Sequence, residues 1–281
     1  MTSLIVSMIC LGGLGALFSL GLALAHAKLQ VYVDPRLENV VEELPGVNCG
    51  GCGYPGCSAF ANAIISGMAE ITACPVNTQD GITGISDIMG VQAEVKVKEY
   101  ARVLCRGGNN ETIPKADYRG IKTCIAAHLT FGGDKLCRYG CLGYGDCVSS
   151  CPFDAIQIDD NGLPRVNEDK CTGCGNCEEI CPRSIIEIHP ANHNLFIFCK
   201  SQDEAKYTRL VCTRACNGCK SCQKKAGEDK ISVINNLARI NYDIYGVVDE
   251  VPTTQCKNHA IDLLRNPFEM NPLNKKNHDS V

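Results

Sequence analysis

Two runs of four cysteines, each closed by a Cys-Pro pair, constrain this chain more than any other feature. The first is Cys137-x3-Cys141-x5-Cys147-x3-Cys151-Pro152 and the second is Cys171-x2-Cys174-x2-Cys177-x3-Cys181-Pro182. A [4Fe–4S] cube needs one thiolate per iron. Three closely spaced cysteines on one loop cap three corners, and the Cys-Pro thiol of the other run caps the fourth. This crossing predicts one cluster on Cys137, Cys141, Cys147 and Cys181 and a second on Cys171, Cys174, Cys177 and Cys151. The first run departs from the regular x2, x2 spacing, so its loop is longer, but the number and order of thiols are kept. Each run is followed by a short strand pattern, Ala155-Ile156-Gln157-Ile158 and Ser184-Ile185-Ile186-Glu187-Ile188. Between them Asp160-Asn161-Gly162-Leu163 is a hairpin turn signal, with Asn-Gly supplying positive φ angles.

The 281 residues include 21 cysteines, no tryptophan and few aromatics, which argues against one large apolar core and for small modules stapled by metal or disulfide. Disulfides require an oxidising compartment, whereas Cys-x2-Cys-x2-Cys arrays gather thiols around a metal. Zinc also takes four thiolates, but usually from two Cys-x2-Cys knuckles rather than three cysteines and a remote Cys-Pro. Iron–sulfur is therefore the preferred reading, with zinc and disulfide as the alternatives. A formal net charge of −4 carries no nucleic-acid footprint.

Residues 4–27 are apolar and uncharged, long enough to cross a bilayer as a helix. Gly12 with Ala16, Gly15 with Ser19 and Gly21 with Ala25 recur four apart, a face that admits close helix packing; a plain lipid anchor is the simpler reading. Ala25-His26-Ala27 resembles a signal-peptide cleavage site, but no basic residue precedes the run, and the run is too long. Lys28 and Arg36 point to a cytoplasmic location for the rest of the chain. Cys49-x2-Cys52-x4-Cys57-x16-Cys74 is a further four-thiol array, with helical character from Ser58 to Glu70 and Phe60, Ile64, Ile65 and Met68 on one apolar face. Residues 78–100 read as a polar connector followed by a strand.

A third array begins at Cys216-x2-Cys219-x2-Cys222, with Ala226 where the fourth thiol of a run is expected. Asn235-Asn236-Leu237-Ala238-Arg239-Ile240 then repeats the turn and strand of the earlier hairpin. At the same offset Tyr245, Val248 and Val251 stand in the places of Cys171, Cys174 and Cys177, and Cys256 alone remains. By the crossing rule Cys216, Cys219, Cys222 and Cys256 hold one cluster, and the ligands of its companion are gone. The alternative is an incomplete site with Cys256 an ordinary thiol. Cys10 lies within the apolar segment as a small apolar residue. Cys105, Cys124, Cys199 and Cys212 are left over; they form a fifth cluster if they meet in space, and are structural otherwise. No Gly-x-Gly-x-x-Gly opens a helix after a strand, and no Cys–His or Ser–His arrangement suggests nucleophilic catalysis.

The expected fold class is α+β: an N-terminal transmembrane helix followed by small iron–sulfur modules, including a two-cluster bacterial ferredoxin fold and a degenerate second one. The expected divisions are 1–28 anchor, 29–45 linker, 46–95 first cluster domain and 96–130 connecting region. After these come 131–190 ferredoxin domain, 191–214 connecting region, 215–262 degenerate domain and 263–281 flexible tail. The module order, together with Lys135-Leu136-Cys137-Arg138-Tyr139-Gly140-Cys141-Leu142-Gly143-Tyr144-Gly145-Asp146-Cys147, resembles the B subunit of the Rnf complex, the ion-translocating ferredoxin:NAD oxidoreductase, over roughly residues 1–262. The third module departs from many members, which keep a full two-cluster ferredoxin there. The resemblance implies an electron-transfer subunit; the missing motifs agree that it has no substrate-converting site of its own, and the cysteine count gives five [4Fe–4S] clusters, or four if the leftover cysteines are structural. The resemblance also implies soluble ferredoxin as donor, other membrane subunits of the complex as partners, and a single pass through the inner (plasma) membrane with the clusters on the cytoplasmic side. A related redox-sensor-reducing complex, a polyferredoxin of a hydrogenase or dehydrogenase, and a zinc-stapled scaffold are the competing readings.

Overall fold

The computed structural model describes residues 2–29, 34–92, 97–248, 250–252 and 256–264. The apolar segment forms α1 (Thr2–Leu29), and every one of its described side chains is exposed. At 1.5 Å per residue it is about 42 Å long, more than a hydrocarbon core of about 30 Å requires. The exposure separates it from the buried core helix of a soluble domain.

Residues 29–45, expected as a linker, contain a second helix, α2 (Arg36–Glu42), which packs on α3 (Cys57–Ile65) and α4 (Gln79–Met89). Val40 and Leu44 are buried with Phe60, Ile64 and Ile85, and this small core also receives Cys74. Met68 lies past the end of α3 and is exposed rather than on its apolar face. The expected polar connector after residue 78 is instead α4, started by the Thr78 hydroxyl, which accepts from Gly81 N at 3.2 Å.

The expected strand at residues 91–100 begins only at Glu99; residues 93–96 lie outside the described set. That strand, β1 (Glu99–Val103), is followed by α5 (Cys124–Leu129), α6 (Asp146–Ser149), β2 (Ile156–Ile158), β3 (Pro164–Val166), α7 (Asn176–Glu179) and β4 (Ile186–Pro190). β2 and β3 form the hairpin expected around Asn161-Gly162, and β1 returns antiparallel to β4, with Ala101 opposite Ile188. The region expected as a connection before residue 131 therefore supplies an edge of the ferredoxin-type module, and residues 105–140 are an insertion within it.

The third module repeats the plan. It runs through β5 (Leu195–Ile197), α8 (Ala205–Val211), α9 (Ser221–Ala226), β6 (Ile231–Ile234), β7 (Leu237–Ile240) and β8 (Ile261–Leu263). β6 pairs with β7, and β5 pairs with β8. Residues 191–214 thus belong largely to this module and do not merely lead to it. The expected tail from residue 266 lies outside the described residues.

The two modules meet through Leu104, Phe196 and Phe198, with Tyr242 packed against them. Ion pairs tie the same junction: Arg106 to Asp262 at 2.6 Å, Arg138 to Asp203 at 2.5 Å, and Lys200 to Glu187. The hydrogen bond from His189 holds the Glu187 carboxyl near about 2 against burial, with Lys200 helping, where 4.5 is usual. A depressed carboxyl contributes stability that is complete above about 4.5 and is lost as pH falls toward about 2. Glu187→Gln is expected to speed amide exchange of β5 at neutral pH; unchanged protection would mean that the contact holds nothing.

Candidate metal centres

Three loops of the same shape present the central thiols. Gly173 and Gly175 flank Cys174 with φ of 71° and 86°; Gly143 and Gly145 flank Tyr144 with 79° and 84°; Gly218 and Lys220 flank Cys219 with 66° and 61°. Behind the Cys-Pro corners, Asp154 and Ser184 take φ of 49° and 47°, and His259, three residues after Cys256, takes 49°. The repeat is thus one of backbone geometry as well as of spacing, and it puts Tyr144 where a thiol stands in the other two loops.

Cys151, Cys171, Cys174 and Cys177 line one small cavity, the grouping that the crossing rule predicts. Ala101 N lies 3.5 Å from Cys171 Sγ and Ala155 N lies 3.4 Å from Cys151 Sγ, donating to the sulfurs. Burial pushes the Cys177 thiol up to about 12, with Cys171 and Cys174 adding to it.

Cys141, Cys147 and Cys181 line a second cavity, and the fourth thiol there is Cys124 rather than the expected Cys137. Burial pushes Cys147 up to about 12, and Cys124 and then Cys181 raise it further. Cys124 opens α5. The Asp146 carboxylate accepts from Cys124 N at 2.8 Å and from Ile125 N at 3.0 Å, and the Thr123 hydroxyl accepts from Ala126 N. The Tyr144 side chain is directed elsewhere, its hydroxyl donating to Asp134 Oδ2 at 2.7 Å.

Cys216, Cys219, Cys222 and Cys256 line a pocket of about 730 Å³. The discarded companion site is filled by apolar side chains: Ala226, Tyr245, Val248 and Val251 pack against the module core. In the first domain Cys49, Cys52 and Cys74 interact electrostatically, and Cys52 and Cys57 pack on the core that buries Cys74. Asn48 Oδ1 accepts from Cys57 N at 2.8 Å.

Of the four leftover thiols, Cys105, Cys199 and Cys212 come together at the junction of the two ferredoxin-type modules. Cys124 does not join them, and Cys137 does. Burial raises Cys212 to about 11, with Cys105 and Cys137 adding to it. It raises Cys199 to about 12, with Cys216 and Cys105 adding.

Hydrogen bonds and electrostatic interactions connect successive thiol groups. Cys174 interacts with Cys49 of the first domain, whose Gly51 lies against the Cys174 backbone, and Asn176 Nδ2 donates to Cys49 O at 3.3 Å. Cys177 interacts with Cys147, and Cys141 N donates to Cys105 Sγ at 3.5 Å. Cys199 interacts with Cys216.

The donor sets fit iron–sulfur cubes. Buried thiols with raised pKa do not ionise side by side unless a cationic group sits among them, and a metal centre supplies that charge. A three-cysteine loop completed by a remote cysteine is the donor pattern of a [4Fe–4S] cube rather than of the paired Cys-x2-Cys knuckles usual for zinc. Sequence reasoning missed Cys124 as a neighbour of Cys141, as well as Asp146 and Lys135. Counting back from Cys151-Pro152 at x3, x2, x2 was the available signal, since it lands on Cys147, Tyr144 and Cys141.

Residues 44–76 match the family described as a putative Fe-S cluster, and residues 136–188 match the 4Fe-4S dicluster domain. The chain is 45% identical over 257 residues to the B subunit of the Na(+)-translocating ferredoxin:NAD(+) oxidoreductase complex of Acetobacterium woodii, covering 90% of this chain and 77% of that one. It is 37% identical to the B subunit of the ion-translocating oxidoreductase complex of Methanosarcina acetivorans over 85% and 91% of the two chains. To the B subunit of the proton-translocating ferredoxin:NAD(+) oxidoreductase complex of Clostridium ljungdahlii it is 33% identical, over 93% of each.

Proposed function

The chain belongs to the family of B subunits of ion-translocating ferredoxin:NAD(+) oxidoreductase complexes, and on that premise we propose that it is the membrane-anchored electron relay of such a complex. The observation that carries the proposal is the series of thiol groups, each linked to the next by an electrostatic interaction or a hydrogen bond. A [4Fe–4S] cube at each group supplies one-electron oxidation and reduction. The protein's part is to hold the groups in series, to exclude water from them, and to tune them through N–H donors such as Ala101 and Ala155. α1 anchors the chain in the bilayer, with the modules on the cytoplasmic side.

Electrons from a soluble ferredoxin enter at the end of the line farthest in sequence from α1. Cys219 is the exposed thiol there, and Arg209, Lys220 and Lys257 line its pocket. A basic rim steers an acidic donor and loses its effect as salt rises. The test is anaerobic: reduced ferredoxin is mixed with the purified complex and bleaching of the cluster absorbance is followed. Rapid bleaching is expected, slowed about tenfold or more by the charge reversals Arg209→Glu, Lys220→Glu and Lys257→Glu at low salt, with the difference shrinking at high salt. Zinc without iron or sulfide in the wild-type protein would sink the relay altogether.

A further inference from the structure

We propose that Cys105, Cys137, Cys199 and Cys212 hold a [4Fe–4S] cluster at the junction of the two ferredoxin-type modules, and that Cys124 replaces Cys137 as the fourth ligand of the Cys141, Cys147 and Cys181 site. The proposal rests on the relay reading for the nature of the group bound, and on separate geometry for which thiols bind it.

The junction site has internal symmetry. Cys105 and Cys199 each lie two residues past the end of the first strand of their module, β1 and β5. Cys137 and Cys212 each lie four residues before the first loop thiol, Cys141 and Cys216. Each module thus contributes the same pair of positions, and neither completes four thiols alone. A short segment fastens the two later positions together. Thr112 bridges to Cys212 and Pro114 to Lys135, while Ile113 N donates to Val211 O at 3.1 Å and Leu136 N to Ile113 O at 3.0 Å. Gly107 closes the other side: a Cβ there would lie 3.0 Å from Cys212 Sγ and 3.8 Å from Cys105 Sγ.

Lys135 is an independent pointer to an anion. It is 6% exposed, and its Nζ has no hydrogen-bond partner. Its charge acts on Cys105 and Cys141. A buried ammonium without a partner is costly, and a cube held by four thiolates is an anion that removes the cost. In the neighbouring site, Tyr144 occupies the place of the central loop thiol but turns its hydroxyl to Asp134, leaving three local thiols. Cys124, set by the Asp146 carboxylate, fills the gap. The insertion between β1 and Cys141 therefore provides Cys124 to one site and Cys137 to the next.

Double variants of the full-length protein, purified anaerobically, decide the partition. Wild type is expected to carry about twenty irons and twenty sulfides, four for each of five cubes. Cys105→Ala with Cys137→Ala removes one cube, leaving about sixteen irons, if the two thiols share a site. About twelve would overturn the proposal, because the pair would then serve two cubes. Wild type with about sixteen irons and sulfides would overturn the junction site while leaving the relay intact. A second variant guards against misfolding. Cys124→Ala is expected to perturb the EPR signal of one cube, and adding Tyr144→Cys to restore it, because the new thiol stands where Cys174 and Cys219 stand in the sister loops. Absence of rescue would overturn the role of Cys124.

Discussion

Replacing Cys171 and Cys177 by alanine in the assembled complex is expected to remove one cube, about four irons and four sulfides per chain. Electron transfer from ferredoxin to NAD should fall by more than the roughly 10–100-fold that an outer-shell change costs at a metal site. The size of the effect follows from position. The cavity of Cys151, Cys171, Cys174 and Cys177 lies between the first domain, which it meets through Cys49 and Gly51, and the rest of the line, which it meets through Cys147. The sites beyond the break keep their ligands, so the Cys216, Cys219, Cys222 and Cys256 site should still be reduced by the donor. Loss of turnover with retained reduction is the signature of a cut line. Turnover within about tenfold of wild type despite the missing irons would mean that electrons bypass the site, and the linear order would fall.

The sequence was most legible where chemistry and spacing coincide. The sets of Cys49 to Cys74, of Cys171 to Cys177 with Cys151, and of Cys216 to Cys222 with Cys256 can be read from ligand intervals, because a loop that wraps a cube leaves few spacings open. Cys137 and Cys124 were not legible in the same way. Cys137 lies close to Cys141 in sequence, and nearness suggests a shared site, but it is not among the residues that line the cavity of Cys141 and it interacts with Cys105 and Cys212. Cys124 is held beside Cys147 by the Asp146 carboxylate, a contact spanning 22 residues. α4 was hidden for a different reason. Gly81 and Gly84 lower its helix propensity, yet a Cβ at Gly81 would run into the Glu43 backbone carbonyl at 2.5 Å, so that glycine permits the close crossing with α2. The paired strands β1 with β4 and β5 with β8 join residues nearly a module apart, and local pattern does not report such pairs.

Gly51→Ala tests the contact that joins the first domain to the line. The Cβ would stand 2.7 Å from Cys174 O and 3.1 Å from both Cys174 Cβ and Pro75 Cγ. Two of these atoms belong to a loop that carries a ligand and the third to a ring, so none can swing aside as the tip of a flexible side chain would. Overpacking of this kind costs about 1–3 kcal/mol, which shifts a docking equilibrium by about 5–150-fold. The expected result is a protein with its full iron and sulfide, because no thiol is touched, but with a weakened magnetic interaction between the first-domain cluster and its neighbour. Turnover should fall in step with the undocked fraction. The hydrogen bond from Asn176 to Cys49 O lies on the same interface, so Asn176→Ala should deepen the defect. An unchanged EPR interaction in Gly51→Ala would show that the two loops yield together, and the close approach of Gly51 would then be a packing detail rather than a requirement of the relay.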